Sequence, residues 1–372
     1  MNNMMMGDTG DDAAAVSAGA EFTGDVSYHG DVAARGALVD FAVNVRGTTP
    51  RWLLDALGSH LNDLSAYPDP MLDRRVRKLI ARRHGRREDE VLLLAGVAEG
   101  FALLPDICER PAVIHPQFTE PDAVMRAAGI DVDRVILRPP WDLGQVRDGS
   151  VAVPDDADLV VVGNPTNPTS VLHSREDILA LRAPGRVVVV DEAFMDVVAE
   201  DAGEACEVAS VRDPGLLVFR SLTKTWALAG LRCGYALGVP EVLAALARRR
   251  PAWPVGTLQL HAMRLVAEHG MGRPLRLERA DVARERELMV AVLDDAGWEV
   301  EPAAGPFLLA RPPVADPEAV RLALANRGVA VRRCDTFPGL GTSWWRLAVR
   351  GPADVGTLVG EVTRIAALQR ER

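Results

Sequence analysis

The chain has few cysteines, no excess of positive charge and no long apolar run, and each of these removes a class of function. Cys108, Cys206, Cys233 and Cys334 are far apart and never fall in a C-x-x-C spacing. Neither a zinc site nor a disulfide framework is therefore expected, and reduced thiols point to the cytoplasm. With 42 Lys+Arg against 52 Asp+Glu the net charge is −10. That balance opposes a nucleic-acid backbone or an anionic membrane as main partner, so an anionic ligand would need a local cluster of arginines. No apolar run approaches the roughly 20 residues of a membrane span. Residues 1–20, MNNMMMGDTGDDAAAVSAGA, place acids where a signal peptide places bases, and read as a disordered leader.

What is present is a chain of 372 residues, long for one core, so a large and a smaller domain are expected. Short apolar runs rich in β-branched residues alternate with helical patterns: VLLLA (91–95), AVIH (112–115), RVILR (134–138), DLVVVG (158–163), RVVVVDE (186–192) and LLVFRS (216–221). This alternation predicts βαβ units and a mostly parallel sheet between helices. CGYALG (233–238) follows too closely for a crossover helix and is expected to be antiparallel in a mixed sheet. Beyond the Pro/Trp/Gly-rich segment 251–256, long helices over roughly 257–297 give way to short strands around WEVEP, FLLAR, VAVRR and WRLAVR. The expected division is an arm over 21–50 joining the small domain, a large domain over 51–250 and a small α+β domain over 251–372.

Ligands of open α/β sheets bind beyond the carboxyl ends of the strands, so residues directly after the apolar runs are the candidates. Lys224 follows LLVFRS in SLTKTWALAGLRCG; a lone lysine there is ordinarily solvated. With Ser221 three residues before it and Arg232 eight after, the segment supplies a nucleophilic amine plus a hydroxyl and a guanidinium suited to a phosphate. Asp191 ends VVVVD, where a carboxylate commonly opens a turn. NPTNPTS (164–170) is a turn-forming loop, and GVAEG (96–100) opens a helix whose first amides, at Val97, Ala98 and Glu99, suit an anion.

Taken in order, GVAEG, HPQF, NPTNPT, DEAF, SLTK, Arg232 and Arg346 resemble the signature of the fold type I pyridoxal 5'-phosphate enzymes of the aminotransferase class I/II superfamily. The resemblance implies an α/β fold with a mostly parallel seven-stranded sheet in the large domain. It also implies pyridoxal 5'-phosphate as cofactor, joined covalently to Lys224. Asp191 would face the pyridine nitrogen and keep the ring electron-withdrawing, Asn167 would bond the phenolic oxygen, and Phe118 would lie against the ring. Ser221, Arg232 and the amides of Val97, Ala98 and Glu99 would hold the phosphate. Tyr67, in AYPDP, would reach the neighbouring subunit's cofactor phosphate and make the enzyme a homodimer. Arg346 would hold a substrate carboxylate and Arg332 a second anion.

Peripheral residues direct the expected reaction. YHGD (28–31), LVDFAVNV (38–45), HPQFTEP, Phe194 in DEAF, and RRCDTFPGL with RLAVR resemble the threonine-phosphate decarboxylase branch, next to the histidinol-phosphate aminotransferases. The expectation is decarboxylation of L-threonine O-3-phosphate to (R)-1-amino-2-propanol O-2-phosphate in cobalamin biosynthesis. Arg332, with His29 and Asn44, would bind the substrate phosphate, and Lys224 would return a proton to Cα. The alternative is a phosphate-substrate aminotransferase of histidinol-phosphate type using 2-oxoglutarate. A regulatory domain descended from the same fold is a third reading, which the retained lysine, aspartate and arginines disfavour. NVRGTTP, with Arg46, departs from the branch's usual NxNPxGPP.

Overall fold

The computed structural model describes Tyr28 and residues 30–370; the expected leader and His29 lie outside the described residues. After the two-residue β1 (Val39–Asp40) come β2 (Val91–Leu94), β3 (Pro111–His115), β4 (Asp133–Ile136), β5 (Leu159–Gly163), β6 (Val187–Asp191), β7 (Leu216–Ser221) and β8 (Gly234–Leu237). Strands β2 to β8 form one seven-stranded sheet in the order β2-β8-β7-β6-β5-β3-β4. β8 runs antiparallel to β2 and β7, and the other pairings are parallel. The expected mixed α/β sheet is the one observed.

The valine runs form the centre of this sheet because both of its faces are covered. Every residue of β5, β7 and β8 is buried. Alternate side chains enter two cores: Val160, Val162, Val188 and Val190 pack on one face, Val161, Val189, Leu217 and Phe219 on the other. Polar alternation would have left one face wet.

A second, antiparallel sheet is built from β9 (Glu299–Val300), β10 (Phe307–Arg311), β12 (Arg332–Arg333) and β13 (Trp345–Ala348), in the order β12-β13-β10-β9. β11 (Val329–Ala330) instead pairs in parallel with β1, which stitches the N-terminal segment to this region. Met289, Leu293, Val355, Leu358 and Val362, from helices Arg273–Asp295 and Pro352–Arg370, cover Leu308, Trp345 and Leu347 of the small sheet.

The stretch 257–297 holds two helices joined by a short irregular turn. Helix Thr257–Leu265 passes into a π-helical turn, Val266–Gly270, before Arg273–Asp295 begins. Gly270 closes this turn against Trp226: a Cβ there would lie 2.9 Å from the ring, so the bare backbone lets the indole approach. Among the described residues no helix is long and apolar enough to cross a membrane.

Candidate active site

The parallel strands deliver their carboxyl ends to one edge of the large sheet. Asp191, the last residue of β6, has Gly163 of β5 and Phe219 of β7 as its Cα partners. The Asn167 loop follows β5, Lys224 follows β7, and Gly96 and Val97 follow β2. Ser221 caps the turn that carries Lys224, its Oγ accepting from Thr223 N at 3.2 Å. This is where an α/β sheet of this topology offers a crevice.

Asp191 and Lys224 are both half-buried, and their acidities respond to that burial in opposite directions. Burial pushes the Asp191 carboxyl up to about 6, against the opposing pull of the Ala193 N–H and the Lys224 charge. Burial, with the charges of Arg346 and Arg232, brings the Lys224 amine down to about 8, while Asp191 opposes that fall. A lysine held near neutrality is fit to act as a nucleophile and to exchange protons.

Gly96 adopts φ +84°, and a Cβ placed there would lie 2.9 Å from Arg232 Nη2. The missing side chain lets the guanidinium lie over the start of helix Val97–Ala102. Of the three amides expected to face an anion, that of Glu99 is bonded to Gly96 O at 3.1 Å, and its carboxylate is engaged by Arg250 at 2.9 Å and by Ala95 N at 2.6 Å. That leaves the amides of Val97 and Ala98, at the first positions of the helix, as the pair able to face an anion.

On the small sheet Arg332 and Arg346 are Cα partners across β12 and β13, so their side chains leave the same face. Both are buried. Arg332 lies between two rings, with Tyr28 and Phe337 centroids each 4.7 Å from its guanidinium carbon, and donates to Tyr28 O at 2.7 Å and Arg333 O at 3.0 Å. Arg346 Nη1 donates to Asn167 Oδ1 at 3.0 Å, Nη2 donates to Ala42 O, and Nε is buried without a partner. Burial, reinforced by the neighbouring Arg332 charge, lowers the Arg346 guanidinium to about 9. Among the described residues neither arginine is paired with a carboxylate. Two buried cations without counter-ions are costly until an anion arrives.

Three further placements come from the tertiary structure. Asn44 is buried, and among the described residues neither of its side-chain amide atoms has a partner. Arg46, which stands where the expected motif was broken, is committed elsewhere: its Nη2 pairs with Glu285 at 2.9 Å and its Nε with Glu278 at 3.4 Å. Ser170 takes the left-handed φ of 63° that a glycine would occupy freely. Bonds from Gly305 N to its Oγ (2.8 Å) and from Ala304 N to its carbonyl (3.0 Å) hold it there and tie the Asn167 loop to the small sheet.

Tyr67 stands apart, 76% exposed and stacked on Trp253 with centroids 4.3 Å apart. Phe118 is half-buried and packs 6.0 Å from the Phe101 ring.

The profile of the family described as aminotransferase class I and II matches residues 39–361. The chain belongs to the class I and II aminotransferases. It is similar to a histidinol-phosphate aminotransferase of Mycobacterium tuberculosis, 50% identical over 328 residues that cover 87% of this chain and 86% of that protein. Its fold resembles the crystal structure of the histidinol-phosphate aminotransferase from Clostridium acetobutylicum, with TM-score 0.80, 22% identity and coverage of 89% of this chain and 99% of that one. It also resembles the L-threonine-O-3-phosphate decarboxylase of Porphyromonas gingivalis, with TM-score 0.77, 21% identity and coverage of 88% and 99%.

The class I and II aminotransferases are pyridoxal 5'-phosphate enzymes, and the cofactor of this chain is pyridoxal 5'-phosphate. The site suits that group: a coupled amine and carboxylate at adjacent strand ends, a glycine that admits Arg232, two amides at a helix start and unpartnered polar atoms on Asn44 and Arg346.

The expected decarboxylase is corrected. The relative at 50% identity is named an aminotransferase, whereas the decarboxylase likeness, at 21%, speaks for the fold alone. The lyase and cobalamin readings fall with it. Of the residues that suggested them, Phe194 packs edge-on to Phe307 at 4.9 Å within a small apolar cluster, and His29 lies outside the described residues.

Proposed function

We propose that this chain transfers an amino group between a phosphate-bearing amine of histidinol-phosphate type and 2-oxoglutarate. The observation that carries the reading is the pair of buried arginines Arg332 and Arg346, side by side on one face of the small sheet and without a carboxylate partner among the described residues. Both substrates carry negative charge for such a pair: a phosphate on the amino donor and two carboxylates on the acceptor. The name of the relative at 50% identity supports the same substrate class.

Pyridoxal 5'-phosphate, when bound, supplies a ring that takes up electrons from the substrate Cα. Asp191 would hold its charge against the ring nitrogen, Asn167 would bond the phenolic oxygen, and Phe118 would pack against the ring. Ser221, Arg232 and the amides of Val97 and Ala98 would bind the cofactor phosphate. Lys224 Nζ, brought to about 8, would anchor the cofactor and move the proton at the substrate Cα. Arg346 would bind the carboxylate of the acceptor, and Arg332, with Asn44 and His29, the second anionic group.

In this reading the arm over 21–50 belongs with the small domain over 251–372, and the large domain over 51–250 holds the cofactor. Bonds from Arg350 to Asp40 O at 2.8 Å and Val43 O at 2.7 Å support the first assignment. The exposed Tyr67–Trp253 stack supports a homodimer in which Tyr67 completes the partner's site, and four free cysteines suit the cytoplasm.

The test is to incubate the protein with pyridoxal 5'-phosphate, histidinol phosphate and 2-oxoglutarate and to measure glutamate. Glutamate formation that requires both substrates is expected. Carbon dioxide release from L-threonine O-3-phosphate, without glutamate formation in the first assay, would overturn the proposal.

A further inference from the structure

Beside the site lies a buried ion cluster that none of these roles uses. Arg220, 1% exposed, is on β7 directly before Ser221 and four residues before Lys224. A guanidinium there requires acidic partners, and it has them. Its Nη1 donates to Glu192 Oε2 at 2.8 Å and its Nη2 to Asp196 Oδ1 at 2.7 Å, with Glu207 Oε2 3.4 Å from Nη1. Glu192 and Asp196 are each secured again, Glu192 by Val208 N at 2.6 Å and Asp196 by Arg83 Nη2 at 2.7 Å.

The two acids bracket the turn that follows Asp191. Within that turn Met195 N bonds Glu192 O at 3.1 Å, and Ala193 N donates to Asp191 Oδ1 at 3.1 Å. Glu192 N is also tied to Phe219 O on β7 at 2.9 Å. The fork of Arg220 therefore grips both ends of a turn whose internal N–H orients the Asp191 carboxylate, while its own backbone runs on to Lys224.

We propose that Arg220 is a positioning residue, a clamp that locks the Glu192–Asp196 turn, and with it the Asp191 carboxylate, to the strand that delivers Lys224. The inference rests on the reading of Asp191 and Lys224 as cofactor residues. Arg220 touches neither cofactor nor substrate; it fixes the relation between the two groups that do. Lysine, a single point charge, cannot hold both acids in this geometry, and Glu192→Gln keeps the shape and the bond from Val208 while removing the charge.

The test uses the full chain, wild type, Arg220→Lys and Glu192→Gln, as apoprotein and loaded with pyridoxal 5'-phosphate. Three quantities are read: the melting temperature of the apoprotein, the Kd for the cofactor and the pH midpoint of its absorbance. A mis-set Asp191 makes the ring less electron-withdrawing, so the midpoint is expected to rise by about one unit in both variants, with Kd weakened about tenfold. A lowered melting temperature with midpoint and Kd unchanged would make Arg220 a purely structural residue and overturn the clamp. Should Arg220→Lys fail to fold, Glu192→Gln decides by the same two readings. Borohydride reduction separates the underlying reading: a wild-type chain whose Lys224 stays unlabelled overturns the cofactor roles, and the clamp with them.

Discussion

Arg346 Nη1 donates to Asn167 Oδ1 at 3.0 Å, a bond that joins the small sheet to the loop after β5. The guanidinium thus stands between the cofactor side and the substrate side of the proposed site. Arg346→Lys keeps a charge but loses the planar fork. We expect kcat/KM for the anionic substrates to fall about 10- to 100-fold, the equivalent of losing a charge-assisted hydrogen bond of about 1.5–3 kcal/mol. Steady-state kinetics with each substrate varied in turn will check it.

Gly96→Ala places a Cβ 2.9 Å from Arg232 Nη2 at a residue with φ +84°. The backbone strain costs about 1–2 kcal/mol, and the displaced guanidinium adds to it. The expected result is a lower melting temperature and a cofactor Kd weakened at least tenfold, measured by thermal unfolding and by titration with pyridoxal 5'-phosphate.

The acidity of Lys224 can be read without any cofactor. Its folded pKa is about 8 against the ordinary 10.5, so the reactive neutral amine accumulates as pH rises through 8. Labelling of apoprotein by an amine-selective reagent should follow a midpoint near 8, resolved by peptide mass spectrometry. The assay is clean, because the chain has one other lysine, Lys78, in a separate peptide. A midpoint above 10 would refute the lowered value.

Asp191→Asn should stabilise the apoprotein while weakening cofactor binding. The folded carboxyl is raised from 3.8 to about 6, so the unfolded chain loses its proton first as pH rises. The resulting penalty is absent below about pH 4, grows between 4 and 6, and is complete above 6, where it amounts to at most about 3 kcal/mol. Denaturant unfolding at pH 4 and pH 8 should show a gain for the variant at pH 8 alone. The opposite pH order would contradict the burial of this carboxyl.

Much of the fold is legible in the sequence, because strands buried on both faces must be written as unbroken apolar runs. β5, β6 and β7 read directly from DLVVVG, RVVVVDE and LLVFRS, and the places of Asn167, Asp191 and Lys224 follow, since each lies at or just beyond the end of such a run. Arg220 left a trace that could have been read: a charged residue inside LLVFRS demands buried partners. Its partners were not legible, since Glu192 and Asp196 reach it only through the pairing of β6 with β7.

Arg46 shows the limit from the other side. It stands where NVRGTTP departs from the branch's usual motif, and its partners, Glu278 and Glu285, lie more than 200 residues away on helix Arg273–Asp295. The reaction is not legible for a related reason: the motifs that seat a cofactor and an anion recur on either side of the decarboxylase–aminotransferase divide.

By itself, then, the amino-acid order determined the layered α/β architecture, the cofactor class and the strand ends at which chemistry can occur, because local patterning and burial are encoded residue by residue. Only the tertiary structure decided which charges meet. Arg332 and Arg346 become neighbours through the register of β12 with β13, Arg346 meets Asn167 across the two sheets, and Arg46 pairs with Glu278 and Glu285. Pairing between distant charges depends on distance and burial, and these exist only once the chain has folded.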